Sequence, residues 1–377
     1  MLFFLAFFTI YLAMHVFVWS RFCVQLKPGS RVAATGYAVC VLLALSPVLA
    51  HLIPVSWPKI LVYSFWQFTF TWLGVIFYLF FLQLSVFLLK TVLRPFIGSS
   101  WPRAASFTGM SIVILALAIV GYGFYEASKP VQVVKHQFES EKITRDIRLV
   151  FLSDLHLGVQ KSSRRLGELI QLLEHQDADL IIFGGDLVND HLEWLEDEAL
   201  QLKGLTAPLG KFGVLGNHEF YPGLDKSLAL FRQSEIAVLD DRKKDLESIN
   251  LTLIGVTDPT PYPSPREHQE ETTRKLLKDI RPDRFNLLIS HRPWGVEHAA
   301  RAGVDLHLAG HTHNGQIFPF RYFVRLQFDH VYGLYQNSGT RLIVTSGAGS
   351  WGPPIRVLAP AEIVVVDILA RNQAGYR

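Results

Sequence analysis

Residues 310–316, GHTHNGQ, place His311 and His313 two positions apart between glycines, directly after the apolar run VDLHLA. Neutral imidazole is the commonest metal ligand among protein side chains. Two histidines alone do not make a metal site. The pair therefore indicates metal chemistry only if other segments of the chain supply further ligands.

The same pattern, an apolar run that ends in metal-competent polar residues, occurs at several earlier places in the chain. The candidate ligands are Asp154, His156, Asp186, Asn217, His291, His311 and His313, and His218 lies beside Asn217. Carboxylate, amide and imidazole ligands without thiolate suit Mn, Fe, Zn and similar ions. Seven ligands with one bridging carboxylate would hold two metals, and two metals about 3.5–4 Å apart form a clamp for in-line displacement at phosphorus.

The charge of this ligand set favours an anionic substrate. Two divalent ions bring four positive charges, whereas the two carboxylates and one bridging hydroxide bring three negative ones. The site would keep about one positive charge, which attracts an anion such as a phosphate ester.

Strands and helices alternate in residues 128–377 in a way that would position these ligands. A helix is predicted over 164–175 and an edge strand over 131–138. Mostly apolar strands that end in polar residues are predicted over 147–156, 179–186, 211–219, 251–258, 285–291 and 304–313. Ligands in α/β folds lie beyond the carboxyl ends of the strands, so we expect these polar ends to converge.

Five motifs in a fixed order carry a resemblance to a known family. DLH, GGD, GNHE, a lone His after an apolar strand, and GHTHNGQ resemble the calcineurin-like metallophosphoesterases over residues 145–370. The ending SGAGSWGPPIRVLAPAEIVVVDI, residues 346–368, is similar to the membrane-anchored branch of that family. The resemblance implies an α/β fold, a four-layer α/β/β/α sandwich of two packed sheets.

The resemblance also implies a role for each candidate. One metal would be held by Asp154, His156, Asp186 and His313, and Asp186 would bridge to a second metal held by Asn217, His291 and His311. A metal-bridging hydroxide would attack phosphorus, and His218 would contact the phosphate and help to protonate the leaving group. The family often has glycine where this chain has Asn314. Asn tolerates the positive φ that such a glycine suggests, so we expect an intact site.

Charge is divided unevenly along the chain. Residues 1–127 contain seven Lys or Arg and one acid, Glu126, whereas residues 128–377 contain 29 basic and 32 acidic residues, a formal charge of −3. The larger part lacks the basic excess of a nucleic-acid-binding protein. Cys23 and Cys40 both lie before residue 128. A disulfide framework and a cysteine nucleophile are therefore excluded for residues 128–377.

Four apolar segments, at about 2–20, 35–53, 61–89 and 107–125, are each long enough for a membrane-spanning helix. The first is expected to be retained, because its first charge follows the apolar run and no cleavage site is present. The first and third connecting segments carry six Lys or Arg against one in the second. This bias predicts cytoplasmic first and third connections and an extracytoplasmic C-terminal domain. His15 has no acidic partner in any span, and we expect a buried or helix-facing histidine there.

These observations predict an integral membrane region over 1–127 and a metallophosphoesterase domain over 128–377. The predicted function is membrane-anchored, two-metal hydrolysis of a phosphodiester or a lipid-linked pyrophosphate, with Mn, Fe or Zn as the two metal ions. The lipid hypothesis follows from the short connection at 126–130, which keeps the active site near the bilayer. Arg292 and the segment KSSRR, residues 161–165, are candidates for contacting the substrate phosphate.

A second hypothesis is a catalytically idle, membrane-tethered module that binds metal or senses a partner. It requires a broken ligand set, and none of the predicted ligands is missing from the motifs. His307, two residues after Asp305, is interpreted as a packed sheet histidine. Mono- or diester preference, the metal, the oligomeric state and the physiological substrate are left open by the sequence.

Overall fold

The structure, a computed structural model, describes residues 2–54, 56–97, 105–159 and 163–371. These residues form two compact units. The helical unit runs as far as Ser128 and includes Gly352–Ile355. The α/β unit comprises Lys129–Trp351 and resumes at Arg356.

Long helices make up the helical unit. In the described ranges they are α1 (Leu2–Leu26), α2 (Ser30–Leu52), α3 (Lys59–Ile97) and α4 (Ala105–Ser128). All four are long and apolar enough to cross a membrane, as predicted. Each begins before or ends after its predicted apolar segment; Arg21, for example, continues α1 beyond residue 20. Pro28, which cannot donate a backbone hydrogen bond, and Gly29, which caps α2, separate the first two helices.

His15 is buried in α1, as predicted. Its Nδ1 lies 2.8 Å from the Tyr11 carbonyl oxygen, and the indole N–H of Trp72 donates to its Nε2 at 2.9 Å. The histidine therefore joins α1 to α3 by a hydrogen bond.

The first sheet of the α/β unit has strand order β1-β12-β2-β3-β4-β5. Its strands are β1 (Gln132–Ser140), β2 (Ile147–Leu152), β3 (Leu180–Phe183), β4 (Lys211–Gly213), β5 (Ala237–Val238) and β12 (Glu362–Ala370). Strands β2 to β5 are parallel to one another, and β12 runs antiparallel to β2 and parallel to β1. The position of β1 at the sheet edge confirms the prediction from its alternating sequence.

The second sheet has strand order β10-β11-β9-β8-β7-β6. Its strands are β6 (Arg242–Leu246), β7 (Leu251–Val256), β8 (Phe285–Ser290), β9 (Leu306–Ala309), β10 (Gly333–Asn337) and β11 (Thr340–Val344). Strands β7, β8, β9 and β11 are parallel, and the outer strands β6 and β10 each pair antiparallel with a neighbour.

The two sheets pack face to face, and helices cover their outer faces. The helices are α5 (Ser163–Glu174), α6 (Glu196–Gly204), α7 (Leu224–Gln233), α8 (Pro265–Leu277), α9 (Val296–Ala302) and the short α10 (Arg321–Val324). Side chains of β2 alternate between two cores: Val150 and Leu152 pack with α5, α6 and α7, whereas Leu149 and Phe151 pack against the second sheet. Helices α8 and α9 cover β7 and β8. This arrangement confirms the four-layer α/β/β/α sandwich.

Candidate metal centre

The predicted ligands lie just beyond the carboxyl ends of five parallel strands in the two sheets. Strands β2, β3 and β4 of the first sheet lead into Asp154 and His156, Asp186, and Asn217 with His218; strands β8 and β9 of the second sheet lead into His291, and His311 with His313. Backbone hydrogen bonds hold these loops together, since the amides of Asp154 and His156 donate to the carbonyls of Gly185 and Asp186 at 3.0 and 2.9 Å. The loops of each sheet thus deliver their side chains to one place.

One group of candidate ligands consists of Asp154, His156 and His313, all buried. Nε2 of His313 lies 3.2 Å from Oδ1 of Asp154 and 3.0 Å from Nε2 of His156. Three potential ligand atoms, two from the loop after β2 in the first sheet and one from the loop after β9 in the second, are therefore close enough to share an ion.

A second group consists of Asp186, His291 and His311. Nε2 of His291 lies 3.1 Å from Oδ2 of Asp186 and 3.1 Å from Nδ1 of His311. The two groups adjoin, because Nε2 of His156 is 3.7 Å from Oδ2 of Asp186 and Nε2 of His291 is 4.0 Å from Oδ1 of Asp154. This placement suits a bridging role for Asp186, although the assignment of each ligand to an ion stays a prediction.

Asn217 differs from the other candidates, because one end of its side-chain amide is hydrogen-bonded to the protein and the other end is not. Nδ2 donates to the hydroxyl of Tyr221 at 3.1 Å, whereas Oδ1 is buried without a hydrogen-bond partner among the described residues. A buried acceptor left in this state costs about 1–3 kcal/mol. A cation at this oxygen would remove that cost, so the residues present fit a metal-binding role.

The backbone at the ligands adopts an unusual conformation. Asp154, His156, Asp186, His311 and His313 all have positive φ, between 48° and 69°. Non-glycine residues rarely adopt this region, and such strain persists only where the surrounding structure enforces it. Asn314 has φ 52°, which confirms the prediction that asparagine takes the conformation for which glycine is suited.

Two glycines allow the carboxylates to approach the backbone closely. A Cβ at Gly216 would lie 2.2 Å from Oδ1 of Asp186, and one at Gly310 would lie 2.4 Å from Oδ2 of Asp154. Any side chain at either position would displace a candidate ligand.

Glu219 is a buried carboxylate that the sequence analysis did not single out, although it belongs to the GNHE motif. It accepts hydrogen bonds from the amides of Asp186, Leu187 and Val188 at 2.8–3.2 Å and from that of Gly216 at 2.6 Å. The same side chain therefore fixes the loop that carries Asp186 and the loop that carries Asn217. The sequence offered one signal for this role, since Glu219 directly follows the predicted site residues Asn217 and His218.

His218 lies between the two groups. Its amide donates to Oδ1 of Asp186 at 2.8 Å, and its ring packs edge-on against His156 with centroids 4.5 Å apart. Its imidazole also offers a nitrogen within 4.8 Å of ligand atoms of His156 and Asp186. Burial lowers the pKa of His218, in spite of the nearby Asp186 carboxylate. The ring is thus neutral near pH 7 and able to accept or donate a proton.

Burial and opposite charges set the protonation of the other groups. Burial alone would lower the pKa of His291, but the Asp186 carboxylate outweighs it and raises the pKa to about 10. Burial lowers the pKa of His311 and of His313. An incoming ion would therefore displace a proton from His291 but find His311 and His313 already neutral.

Arg292 is held beside the site by a buried carboxylate. Its Nε and Nη2 donate to Asp258 at 2.6 and 3.2 Å, and Nη2 also donates to Thr260 at 2.9 Å. The guanidinium lies 5.1 Å from the centroid of the Trp294 ring. Its contact with a substrate phosphate stays a prediction. Within the KSSRR segment, residues 161 and 162 lie outside the described residues.

His307 is buried on β9, away from the ligand groups, and its Nε2 lies 2.8 Å from Oγ of Ser290. This placement confirms the interpretation as a packed sheet histidine.

The sequence is similar to those of known proteins. Residues 147–315 match the model of the calcineurin-like phosphoesterases. The chain is 33% identical over 263 residues to an uncharacterized metallophosphoesterase of Helicobacter pylori, covering 68% of this chain and 70% of that protein. It is 28% identical over 268 residues to a transmembrane protein with metallophosphoesterase domain of Danio rerio, covering 68% and 61%. A 5'-nucleotidase precursor from Thermus thermophilus is similar over 59% of this chain and 54% of its own, with 17% identity and a TM-score of 0.36.

The family assignment rests on the sequence relatives. The Helicobacter pylori protein is similar over more than two thirds of both chains, and the range matched by the family model contains every predicted ligand. The chain is therefore a member of the calcineurin-like phosphoesterase family, whose sites depend on two metal ions.

Proposed function

We propose that this protein is a membrane-anchored, metal-dependent hydrolase of phosphoesters, and of phosphodiesters in particular. The observation that carries the proposal is the juxtaposition of the two ligand groups. Oδ2 of Asp186 is 3.1 Å from Nε2 of His291 in its own group and 3.7 Å from Nε2 of His156 in the other. A binding-only metal module has no need of two adjoining groups, whereas hydrolysis at phosphorus uses both.

The candidate ligands would be divided between two ions. Asp154, His156 and His313 would hold one ion, Asn217, His291 and His311 the other, and Asp186 would be shared. The two ions would supply Lewis acidity toward a phosphoryl oxygen and lower the pKa of the attacking water. With only two carboxylates among seven ligands, the site keeps a positive charge that binds an anionic ester.

His218 would hold the proton that the leaving group requires. Its Nδ1 is buried without a hydrogen-bond partner among the described residues, and its ring lies against both His156 and Tyr221, with centroids 4.5 and 4.9 Å away. Tyr221 in turn binds the amide of Asn217. Bound phosphoester would bring a negative charge to this ring and favour its protonated form.

Hydrolysis of a chromogenic phosphodiester by the full chain in nanodiscs tests the proposal. The protein would be stripped of metal and reloaded with Mn, Fe or Zn singly, beside Asn217→Ala and a control, Asn337→Ala, on β10. We expect metal-restored activity in the parent and the control and its loss in Asn217→Ala. Stoichiometric metal binding without hydrolysis of mono- or diesters would instead favour the catalytically idle module.

We also propose that the α/β unit faces away from the cytoplasm, as the Lys and Arg distribution of the connecting segments favours. A single exposed cysteine, Asp279→Cys on a background with Cys23 and Cys40 replaced by alanine, tests this. A membrane-impermeant maleimide is expected to label it in intact cells or spheroplasts. Labelling only after lysis would place the unit in the cytoplasm.

A further inference from the structure

An exposed apolar surface lies immediately after the GHTHNGQ segment. The chain leaves the metal centre through Gln316 and enters residues 317–328, IFPFRYFVRLQF, which contain two arginines and no acid. Leu326 is 85% exposed. Phe318, Tyr322, Phe323, Trp351 and Leu358 are also more than a third exposed. Single exposed apolar residues are common, but a group of large ones marks an interaction surface.

These side chains belong to one continuous surface. The amide of Phe318 donates to the Val357 carbonyl at 3.1 Å, and Arg321 donates to the Leu358 carbonyl, which places Leu358 beside α10. Two hydrogen bonds join Gln316 to the backbone of Trp351, at 2.9 and 3.0 Å.

The rings of Phe318 and Tyr322 are 5.9 Å apart, and the Arg325 guanidinium lies 5.9 Å from the Tyr322 centroid. We name the surface formed by Phe318, Tyr322, Phe323, Leu326, Trp351 and Leu358, with Arg321 and Arg325, the α10 surface.

The composition of the α10 surface suits a lipid–water interface. Aromatic side chains and arginine are favoured at headgroup depth, where an apolar body and a polar tip are both accommodated. Leucine and phenylalanine beside basic residues are typical of segments that lie in the interface plane and attract anionic lipids. Two positive charges without an acid within residues 317–328 complement such headgroups.

A bilayer is within reach of the α/β unit by chain connectivity alone. Helix α4 ends at Ser128 and β1 begins at Gln132, so three residues, at most about 10 Å of chain, connect them. Lipid is therefore always close to the α/β unit, whereas a soluble partner would have to be recruited to it.

We propose that the α10 surface docks on the bilayer and thereby presents the metal centre to a phosphoester carried by a lipid. The inference rests on the proposed hydrolase function for its substrate class, but the docking can be measured without activity. A structural link makes docking relevant to the site: a Cβ at Gly315, in the metal-binding segment, would lie 2.4 Å from Cα of Arg321. The docking helix and the segment that carries His313 are thus in direct backbone contact.

Depth measurement tests the docking. Leu326→Cys in the full chain, with Cys23 and Cys40 replaced by alanine, would carry an environment-sensitive fluorophore in nanodiscs that contain anionic lipid. Leu200→Cys on α6, also an exposed leucine, is the matched control. Nitroxide-labelled lipid is expected to quench the label at 326 and to leave the label at 200 largely unchanged. Equal quenching at the two positions would overturn the proposal, as would a label at 326 shielded from aqueous iodide but not quenched by lipid, which indicates a protein partner.

Activity measurement separates docking from chemistry. Leu326→Asp is expected to lower hydrolysis of a lipid-anchored phosphoester in nanodiscs on the order of tenfold, while hydrolysis of a soluble phosphodiester and the metal content stay at the parent level. An equal loss of activity toward both substrates would contradict lipid presentation, as would unchanged activity toward both. Failure of the parent to hydrolyse any ester would refute the hydrolase function alone, and the quenching result would still decide the docking.

Discussion

Nη2 of Arg356 lies 3.5 Å from Nδ1 of His313, inside the α/β unit. The Arg356 side chain is fully buried, and Nη2 also donates to the carbonyls of Ser346 and Gly347 at 2.9 and 3.0 Å. The loop that contains these carbonyls in turn holds the first candidate ligand, because the amide of Gly349 donates to the Asp154 carbonyl at 2.8 Å. A single guanidinium thus organises the loop behind both Asp154 and His313.

Replacement of Arg356 by lysine should weaken the metal centre while the positive charge is retained. Lysine cannot reproduce the planar fork, so several buried carbonyls would lose their donor, at about 1–3 kcal/mol each. We expect a lower free energy of unfolding and less bound metal per chain. The exposed Arg274→Lys on α8 is the control. Parent-level metal content and stability in the Arg356 variant would show that the loop is ordered without this residue.

Glu219→Gln should loosen two ligand loops at once. An amide side chain has one acceptor oxygen and turns an N–H toward backbone amides that now donate to a carboxylate. The expected loss is about 1–3 kcal/mol of unfolding free energy, with reduced metal affinity. Chemical denaturation and titration with a metal indicator measure the two effects. The exposed Glu235→Gln should change neither, and a Glu219 variant that behaves like it would refute the bridging role.

Asn217→Ala should reduce the number of bound ions from two toward one. The substitution removes the buried Oδ1, whereas the ligand group of Asp154, His156 and His313 is untouched. Since even partners outside the ligand shell affect metal affinity by about 10–100-fold, we expect at least this loss at the second position. Metal analysis after gel filtration gives the stoichiometry. Two ions retained at parent affinity would remove Asn217 from the ligand set.

Buried His307 should make the α/β unit sensitive to mild acid. Burial lowers its pKa to about 3 in the folded state, below the unfolded value of about 6.5. The unfolded chain therefore takes up the proton first. The stabilising contribution is complete above pH 6.5 and is lost as the pH falls from 6.5 toward 3, by about 1.4 kcal/mol per pH unit.

Unfolding free energies of the metal-free protein between pH 7 and 4 measure this slope. His307→Gln, which does not titrate, should flatten it relative to the parent, with exposed His175→Gln as the control. An unchanged slope in His307→Gln would assign the acid sensitivity to other groups.

The sequence was sufficient to predict that the candidate ligands follow apolar strands and lie close together. Asp154, Asp186 and His291 each lie within three residues of the end of a strand, and the parallel arrangement of strands makes such ends converge. The roles of Glu219 and Arg356 were not predicted, although both lie in the quoted motifs, because each accepts hydrogen bonds from backbone groups or donates hydrogen bonds to them, which residue types do not record. The exact ends of the four long helices were also not predicted. The length of an apolar segment reflects the thickness of the membrane interior, whereas a helix continues as far as its backbone hydrogen bonds do.

Strand β12 lies between β1 and β2, and it is the paired neighbour of β1 in the first sheet. During translation, β1 therefore has no strand to pair with until some 220 further residues have been synthesised and Glu362–Ala370 leaves the ribosome. The sheet that carries Asp154 and Asp186 closes only then. Metal loading should consequently be a late, post-synthetic event, and a stalled or truncated chain that lacks β12 should be anchored in the membrane yet exposed to proteolysis.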